Sequence, residues 1–456
     1  MQARPFKKIM QDKNKLVIIG DGFAAAVSAI HLLRKGIPAD ALTIIGAGSL
    51  GKGNAYGCVS PSFRLNVRED LPIVFSEDPL HFARWAEVNI DDLEAKTNAG
   101  FFYRRADFGR YVAELIAAEV GFEKIQRIPS KVTRLNREHD GLWKLGTADG
   151  GLFYAEKVII ATGNSPPTWP CPIKTELGGQ ADPQLIENPW TGQYLAAIQL
   201  EEHVVLLGGG LTALDAIYAL AEQGHRGRIT IVGPRPLFPP TQAQWARQKQ
   251  PNWPEKLSPA RLVRFMRQYL PSAPTTSTEW QCAWEELRPN LNAIWRQFTP
   301  HQRQSLFKRL GWVWSLYRFR ASPQTIKAYE QLRANHQIQF AVGRAKQVEC
   351  SKGAVIVQLN NGQRIQADRI VNCTGVGPDL FLNTLIADTI AIPDPLGHAI
   401  GVNTSLNVIK PNRQAWNNLW MLGPATMGSL GDVVAASAIS KQAEELASQI
   451  QATTNF

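Results

Sequence analysis

Two short glycine-rich turns constrain this chain more than any other feature. The first reads Gly20-Asp21-Gly22-Phe23-Ala24-Ala25 and follows the apolar run Leu16-Val17-Ile18-Ile19. The second reads Gly208-Gly209-Gly210-Leu211-Thr212-Ala213 and follows Val204-Val205-Leu206-Leu207. Strand, tight turn and helix in this order make a dinucleotide-binding unit. The first glycine permits the turn, the second lets backbone approach a pyrophosphate, and a small third residue lets helix and strand pack. Free N–H groups at the start of the helix then hold the phosphates. Gly20, Gly22, Phe23 and Ala25 are therefore candidate cofactor residues, and so are Gly208, Gly210, Leu211 and Ala213. One such motif is weak evidence. Two copies, each opening an apolar helix, point to two dinucleotides: a flavin, and a nicotinamide that reduces it.

The rest of the composition narrows the class. With 456 residues there is room for two or three domains with full cores. Hydrophobic content of 44% and charged content of 19% describe a globular chain, and no apolar run approaches the roughly 18 residues of a membrane span. The basic start, with Lys7-Lys8 and Lys13 to Lys15, reads as a solvated arm leading into a first strand rather than a signal peptide. Cys58, Cys171, Cys282, Cys350 and Cys373 are scattered and form no CxxC. That pattern suggests a reducing, cytoplasmic compartment with neither a disulfide framework nor a metal site. The net charge of +10 is dispersed. It fits attraction of anionic NADPH or an acidic substrate better than nucleic-acid binding.

Along the chain, a strand and helix over about 16–35 are followed by the strand Ala41–Ile45 and the loop Gly46-Ala47-Gly48-Ser49-Leu50-Gly51-Lys52-Gly53. Residues 78–120 carry helical spacing. Strands at Ser130–Asn136, Leu142–Leu145 and Lys157–Ile160 lead to Ala161-Thr162-Gly163. A proline-rich linker spans about 165–199. Seven of the thirteen tryptophans fall between 240 and 330, where helical spacing dominates. Strand patterns return at Ile338–Val342, Val355–Leu359 and Arg369–Asn372, then Cys373-Thr374-Gly375; strand Leu419–Leu422 and a helix from Asp432 to about Ile450 close the chain. The expected fold is α/β: two Rossmann-like dinucleotide-binding domains with a helical insertion. Residues 1–200 would form the first part of a FAD-binding domain. Residues 201–345 would form a NAD(P)-binding domain with 240–330 as its tryptophan-rich insertion, and 346–456 would complete the first domain.

Between and after the two turns the sequence resembles a family, the FAD-NAD(P)-binding proteins. The segments are Gly53-Asn54-Ala55-Tyr56-Gly57, Arg64-Leu65-Asn66-Val67, Asp78-Pro79 to Trp85, Arg104-Arg105 to Tyr111, Gly208 to Asp215, Gln223 to Gly227, and Gly423-Pro424. The resemblance covers most of the chain and is loosest in the insertion. It implies a relative of flavin-containing monooxygenases and disulfide reductases, with FAD as cofactor and NADPH, or NADH, as reductant. It adds Gly53, Asn66, Thr162, Gly163, Gly375, Gly423, Gly431 and Asp432 to the cofactor candidates, with Arg105 as a further flavin-side or substrate-side group. Asp432 would cap the last helix.

Two departures stand out. Acidic residues usually follow the second strand of such a unit and hold ribose hydroxyls. Here Ile45 is followed by Gly46-Ala47-Gly48, and Val232 by Gly233-Pro234-Arg235. Arg235 can take the 2′-phosphate of NADPH. Cys58 reads as a structural thiol, His81 as packing and His225 as a helix end, and no residue identifies itself as the catalytic acid or base. The expected activity is FAD-dependent NAD(P)H oxidation coupled to a small-molecule substrate. A monooxygenase is favoured because no redox dithiol is present. A plain flavin reductase and a non-redox nucleotide sensor stay open as alternatives.

Overall fold

The computed structural model describes residues 14–58, 60–175, 182–351 and 353–453. The expected basic arm lies outside the described residues as far as Lys13; Asn14 and Lys15 already belong to the first strand. The chain forms two compact units, both discontinuous in sequence: 1–53 with 110–163 and 379–456, and 54–109 with 164–378.

The first unit is built on strands in the order Asn407–Ile409, Ala415–Met421, Leu152–Ile160, Asn14–Ile19, Leu42–Ile45, Gln126–Ile128. All neighbours from Ala415–Met421 onward run parallel, with Val17 beside both Thr43 and Val158, and Leu419 beside Val158. Strands covered on both faces read as continuous apolar runs, and Leu16, Val17 and Ile18 are fully buried. The helix Phe23–Arg34 is alanine-rich along its first turns and buries Phe23 through Leu32. It packs against the last helix, Ala436–Thr453.

The second unit repeats the scheme. Its parallel sheet runs Leu185–Ile186, Arg369–Asn372, Val204–Leu207, Ile229–Gly233, Ile338–Val342. Alternate side chains of a strand face opposite sides. Val204 and Leu206 accordingly join a core with Ala213, Leu214 and Ile217 of helix Leu211–Glu222. Val205 and Leu207 join another, with Val348, Val355 and Val357 of an antiparallel sheet. Between the adjacent strands Ile229–Gly233 and Ile338–Val342 comes the helical insertion: Pro259–Tyr269, Thr278–Gln297, Pro300–Arg318 and Pro323–Ala334. Ser258, Ser277, Thr299 and Ser322 each cap one of these helices through a side-chain oxygen. Its tryptophans mostly build its own core: Trp280 and Trp284 stack at 5.3 Å, Trp284 meets Trp314 at 5.6 Å, and both Trp280 and Trp284 are buried.

The units divide the chain differently from the sequence-based boundaries. Residues 54–109 and 164–200 fall with the second unit, and so does 346–378. The reason is packing. Cys58, Phe63, Ile186, Leu195 and Ile198 share one core with Val204 and the helix Leu211–Glu222. Ion pairs reinforce it within that unit. Arg105 pairs with Asp215 at 2.6 Å, and buried Arg64 pairs with Asp92 at 2.8 Å and donates to the Tyr218 hydroxyl at 3.3 Å. The last helix begins at Ala436, after the short helix Met427–Leu430, with Asp432 between the two.

Candidate functional site

The two glycine turns share the same backbone hydrogen bonds at the carboxyl ends of their parallel strands, where open α/β sheets bind ligands. In the first unit the Gly20 N–H donates to Ile45 O at 2.8 Å, and Ala161 N–H donates to Ile19 O at 2.8 Å. In the second, Gly208 N–H donates to Val232 O at 2.7 Å, and Cys373 N–H donates to Leu207 O at 2.8 Å. Each first glycine turns with positive φ, 126° at Gly20 and 108° at Gly208. A Cβ would lie 2.4 Å from Ala161 O at Gly20 and 2.5 Å from Cys373 O at Gly208. Glycine is therefore required by the adjoining strand as well as by the dihedral.

The helices that follow start on Gly22 and Gly210 without any side-chain cap, and neither has an acid in its first turn. Their leading N–H groups are left for an anion. A Cβ on Gly210 would meet no atom within 4 Å, and one on Gly22 only Gly53 Cα at 3.6 Å. Backbone is thus open to a pyrophosphate at both places, which fits a dinucleotide. Ala25 and Ala213 are fully buried, Phe23 is buried and Leu211 partly so.

Around the first turn the structure gathers further predicted residues of the same unit. Gly53 lies beside Gly22, where only a glycine fits, since a Cβ on it would fall 2.8 Å from Gly22 Cα. Thr162 and Gly163 extend from the strand beside Gly20. Gly423 follows the next strand, and its Cβ would be 3.6 Å from Ala24 Cβ, over the start of the helix. Buried Gln442 holds that closing turn, accepting Gly423 N–H at 2.8 Å and donating to Thr426 Oγ1 at 3.1 Å. Gly431 ends the short helix after it, followed by Asp432. In the second unit, Gly375 lies just beyond the strand that flanks Gly208.

Other candidates belong to the second unit. Asn66 is partly buried in the 54–109 segment of the second unit. Arg105 donates to Asp215 and to the Arg64 carbonyl at 3.0 Å, contacts that tie the second unit's own elements together. Burial raises the Asp215 carboxyl, and Arg105 opposes that shift. Arg235 is exposed, with its guanidinium stacked 3.8 Å from the Trp312 ring centroid. Burial raises the Cys58 thiol despite nearby Arg105, and raises Cys373 strongly. Neither is a poised thiolate, and none of the five cysteines forms a disulfide. Among the described residues no three His, Cys, Asp or Glu side chains gather as metal ligands, and no helix is long and apolar enough to cross a membrane.

Sequence reasoning missed Asp21. It lies between the two glycines of the first turn, and its carboxylate accepts the Gly48 N–H at 2.5 Å. The signal was available: an acid inside the turn of the unit whose second strand lacks one.

The fold, with these paired turns, matches that of solved flavoproteins that bind two dinucleotides. The ornithine N-hydroxylase of Kutzneria sp. 744, solved with reduced FAD, NADP+ and L-ornithine, is 13% identical with a TM-score of 0.64, covering 97% of this chain and 99% of that one. The thioredoxin reductase of T. acidophilum is also 13% identical, with a TM-score of 0.53 over 96% and 99%. Residues 17–165 match the FAD-NAD(P)-binding family, the one the sequence motifs resemble. The chain is also 27% identical to the tRNA 5-methylaminomethyl-2-thiouridine biosynthesis bifunctional protein MnmC of Idiomarina loihiensis, over 34% of its own length. The match spans only 32% of that protein.

Proposed function

We propose that the protein is an FAD-dependent NAD(P)H oxidoreductase of monooxygenase type acting on a small-molecule substrate. FAD would lie on Gly20, Gly22, Phe23, Ala25, Gly53, Thr162, Gly163 and Gly423, with Gly431 and Asp432 near its reactive end. NADPH, preferred over NADH, would lie on Gly208, Gly210, Leu211, Ala213 and Gly375, with Arg235 swinging from Trp312 to the 2′-phosphate. The observation that carries this reading is the duplicated turn, with an uncapped helix start and open backbone in each copy. When bound, FAD supplies hydride acceptance and oxygen chemistry, and the chain supplies binding, orientation and electrostatics. The helix starts hold the phosphates. The buried tie of Gln442 to Gly423 and Thr426 fixes the closing turn against which the flavin would rest.

A monooxygenase is preferred to a disulfide reductase because no two cysteines form a disulfide or a CxxC pair and the thiol after the first unit's loop, Cys58, is buried with a raised pKa. The same five thiols, none of them in a disulfide, support a cytoplasmic setting. The test is an anaerobic absorbance titration with NADPH and, in parallel, NADH. Bleaching of a flavin band near about 450 nm supports the oxidoreductase. Oxygen uptake stoichiometric with hydroxylated product supports the monooxygenase, whereas reoxidation yielding peroxide alone supports a plain reductase. A colourless protein that takes up no FAD would sink the redox reading.

A further inference from the structure

The absent ribose acid of the first unit has a replacement in the fold. The second strand, Leu42–Ile45, ends on Gly46-Ala47-Gly48, where a carboxylate would ordinarily reach the adenosine ribose. Asp21 reaches the same place from the first turn. A Cβ built on Gly46 would fall 2.6 Å from Asp21 Cβ and 2.8 Å from its Oδ2, and one on Gly48 would fall 3.2 Å from Oδ2. The Asp21 side chain thus stands where a side chain at position 46 would begin, and the two glycines leave room for it. The Gly51 N–H donates to Asp21 O at 2.8 Å, so backbone and side chain of this residue both fasten the loop. A carboxylate offers about four acceptor sites; Gly48 N–H takes one.

The second turn provides the contrast. Its equivalent position is Gly209, where a Cβ would meet only Leu237 O at 3.5 Å and Arg235 O at 3.9 Å. One turn therefore presents a negative charge at the strand end, and the other presents a bare backbone with an arginine nearby. We propose that Asp21 is the ribose-recognising residue of the first unit. It accepts a hydroxyl of the adenosine ribose of FAD and repels any nucleotide carrying a 2′-phosphate, so that the two turns sort their ligands by charge. This inference rests on the FAD reading above.

The experiment is a fluorescence-quenching titration of the FAD-stripped protein with FAD and with an FAD analogue whose adenosine lacks both ribose hydroxyls. Hydrogen bonds to a carboxylate predict that the parent prefers FAD by about 10–100-fold. Asp21→Asn should shrink that preference below about threefold by losing affinity for FAD and not for the analogue. The Asp21→Gly/Gly46→Glu double variant, which moves the acid to the strand end, should restore it. Thermal melting of each ligand-free variant checks folding. The proposal is overturned if Asp21→Asn keeps the preference, or if it weakens both ligands equally, which would make Asp21 a loop fastener only. A parent protein that binds neither ligand fails at the level of the FAD reading itself, and the inference falls with it.

Discussion

Replacing Gly208 and Gly210 by alanine, one at a time, separates folding from binding within a single turn. At Gly208 the backbone sits at φ 108°, and the new Cβ would lie 2.5 Å from Cys373 O and 2.9 Å from its carbonyl carbon. That carbonyl closes a strand locked in parallel register, Leu207 beside Asn372, so it cannot withdraw cheaply. Left-handed strain of about 1–3 kcal/mol adds to overpacking of about 1–3 kcal/mol. For a unit of this size each kcal/mol lowers Tm by about 2–4 °C, so the expected fall is on the order of 10 °C. At Gly210, φ is −95° and the Cβ would touch nothing within 4 Å. Alanine there forfeits only the N-cap preference, about 1 kcal/mol or less. The methyl would instead stand where the pyrophosphate must approach, raising the NADPH Kd at least about tenfold. Differential scanning fluorimetry without ligand, paired with a NADPH titration, reads both effects. A Gly208→Ala protein melting within about 2 °C of the parent, or a Gly210→Ala protein that binds NADPH like the parent, would refute the reasoning.

Removing the partner of buried Asp215 by Arg105→Met should destabilise the protein by about 3–5 kcal/mol in urea unfolding, through an uncompensated carboxyl only 6% exposed. Asp394 is also buried, and burial raises its carboxyl although the N–H groups of Leu396 and His398 oppose the shift. A raised folded-state pKa binds protons preferentially in the native form, so this stability is full below the unfolded value of about 3.9 and is lost as pH rises through the folded one. The Tm of Asp394→Asn relative to the parent should therefore increase from acid to neutral pH. Gly428→Ala would drive a Cβ to 2.0 Å from Asp394 Oδ2, and should lower Tm unless combined with Asp394→Ala. In the native protein, a thiol reagent should titrate no more than Cys171 and Cys282, because Cys58, Cys350 and Cys373 are buried; five fast thiols would contradict the fold.

Local chemistry made the two turns readable. Gly20 and Gly208 carry requirements of sterics and backbone dihedral that lie within a few residues, and the apolar runs before them are covered on both faces. The tryptophan-rich insertion was also legible, since helical spacing of its apolar residues runs through it and its four helices follow that spacing. Unit boundaries were not. The placement of 54–109 depends on Phe63, Arg64 and Arg105 meeting a helix more than a hundred positions later, and periodicity carries no signal of that kind. Short strands such as Gln126–Ile128 and Asn407–Ile409 escaped because two or three residues show no pattern, and their pairing alone makes them strands. Asp21 escaped for another reason: attention to the end of the second strand looked for an acid by its place in sequence, and the fold supplied it by place in space.

The first unit is stitched from three stretches, and its strand Ala415–Met421 pairs with Val158–Ile160 across most of the chain. A ribosome adding about 5–20 residues per second needs tens of seconds to travel from one to the other. Throughout that interval Val158, Ile159 and Ile160 present a bare apolar edge of the kind that invites mispairing, while the strands of the second unit have all emerged. On the proposed FAD site, a chain that stops short of Gly423 lacks part of the flavin cradle and leaves the Val158–Ile160 edge unguarded for chaperones and proteases to find.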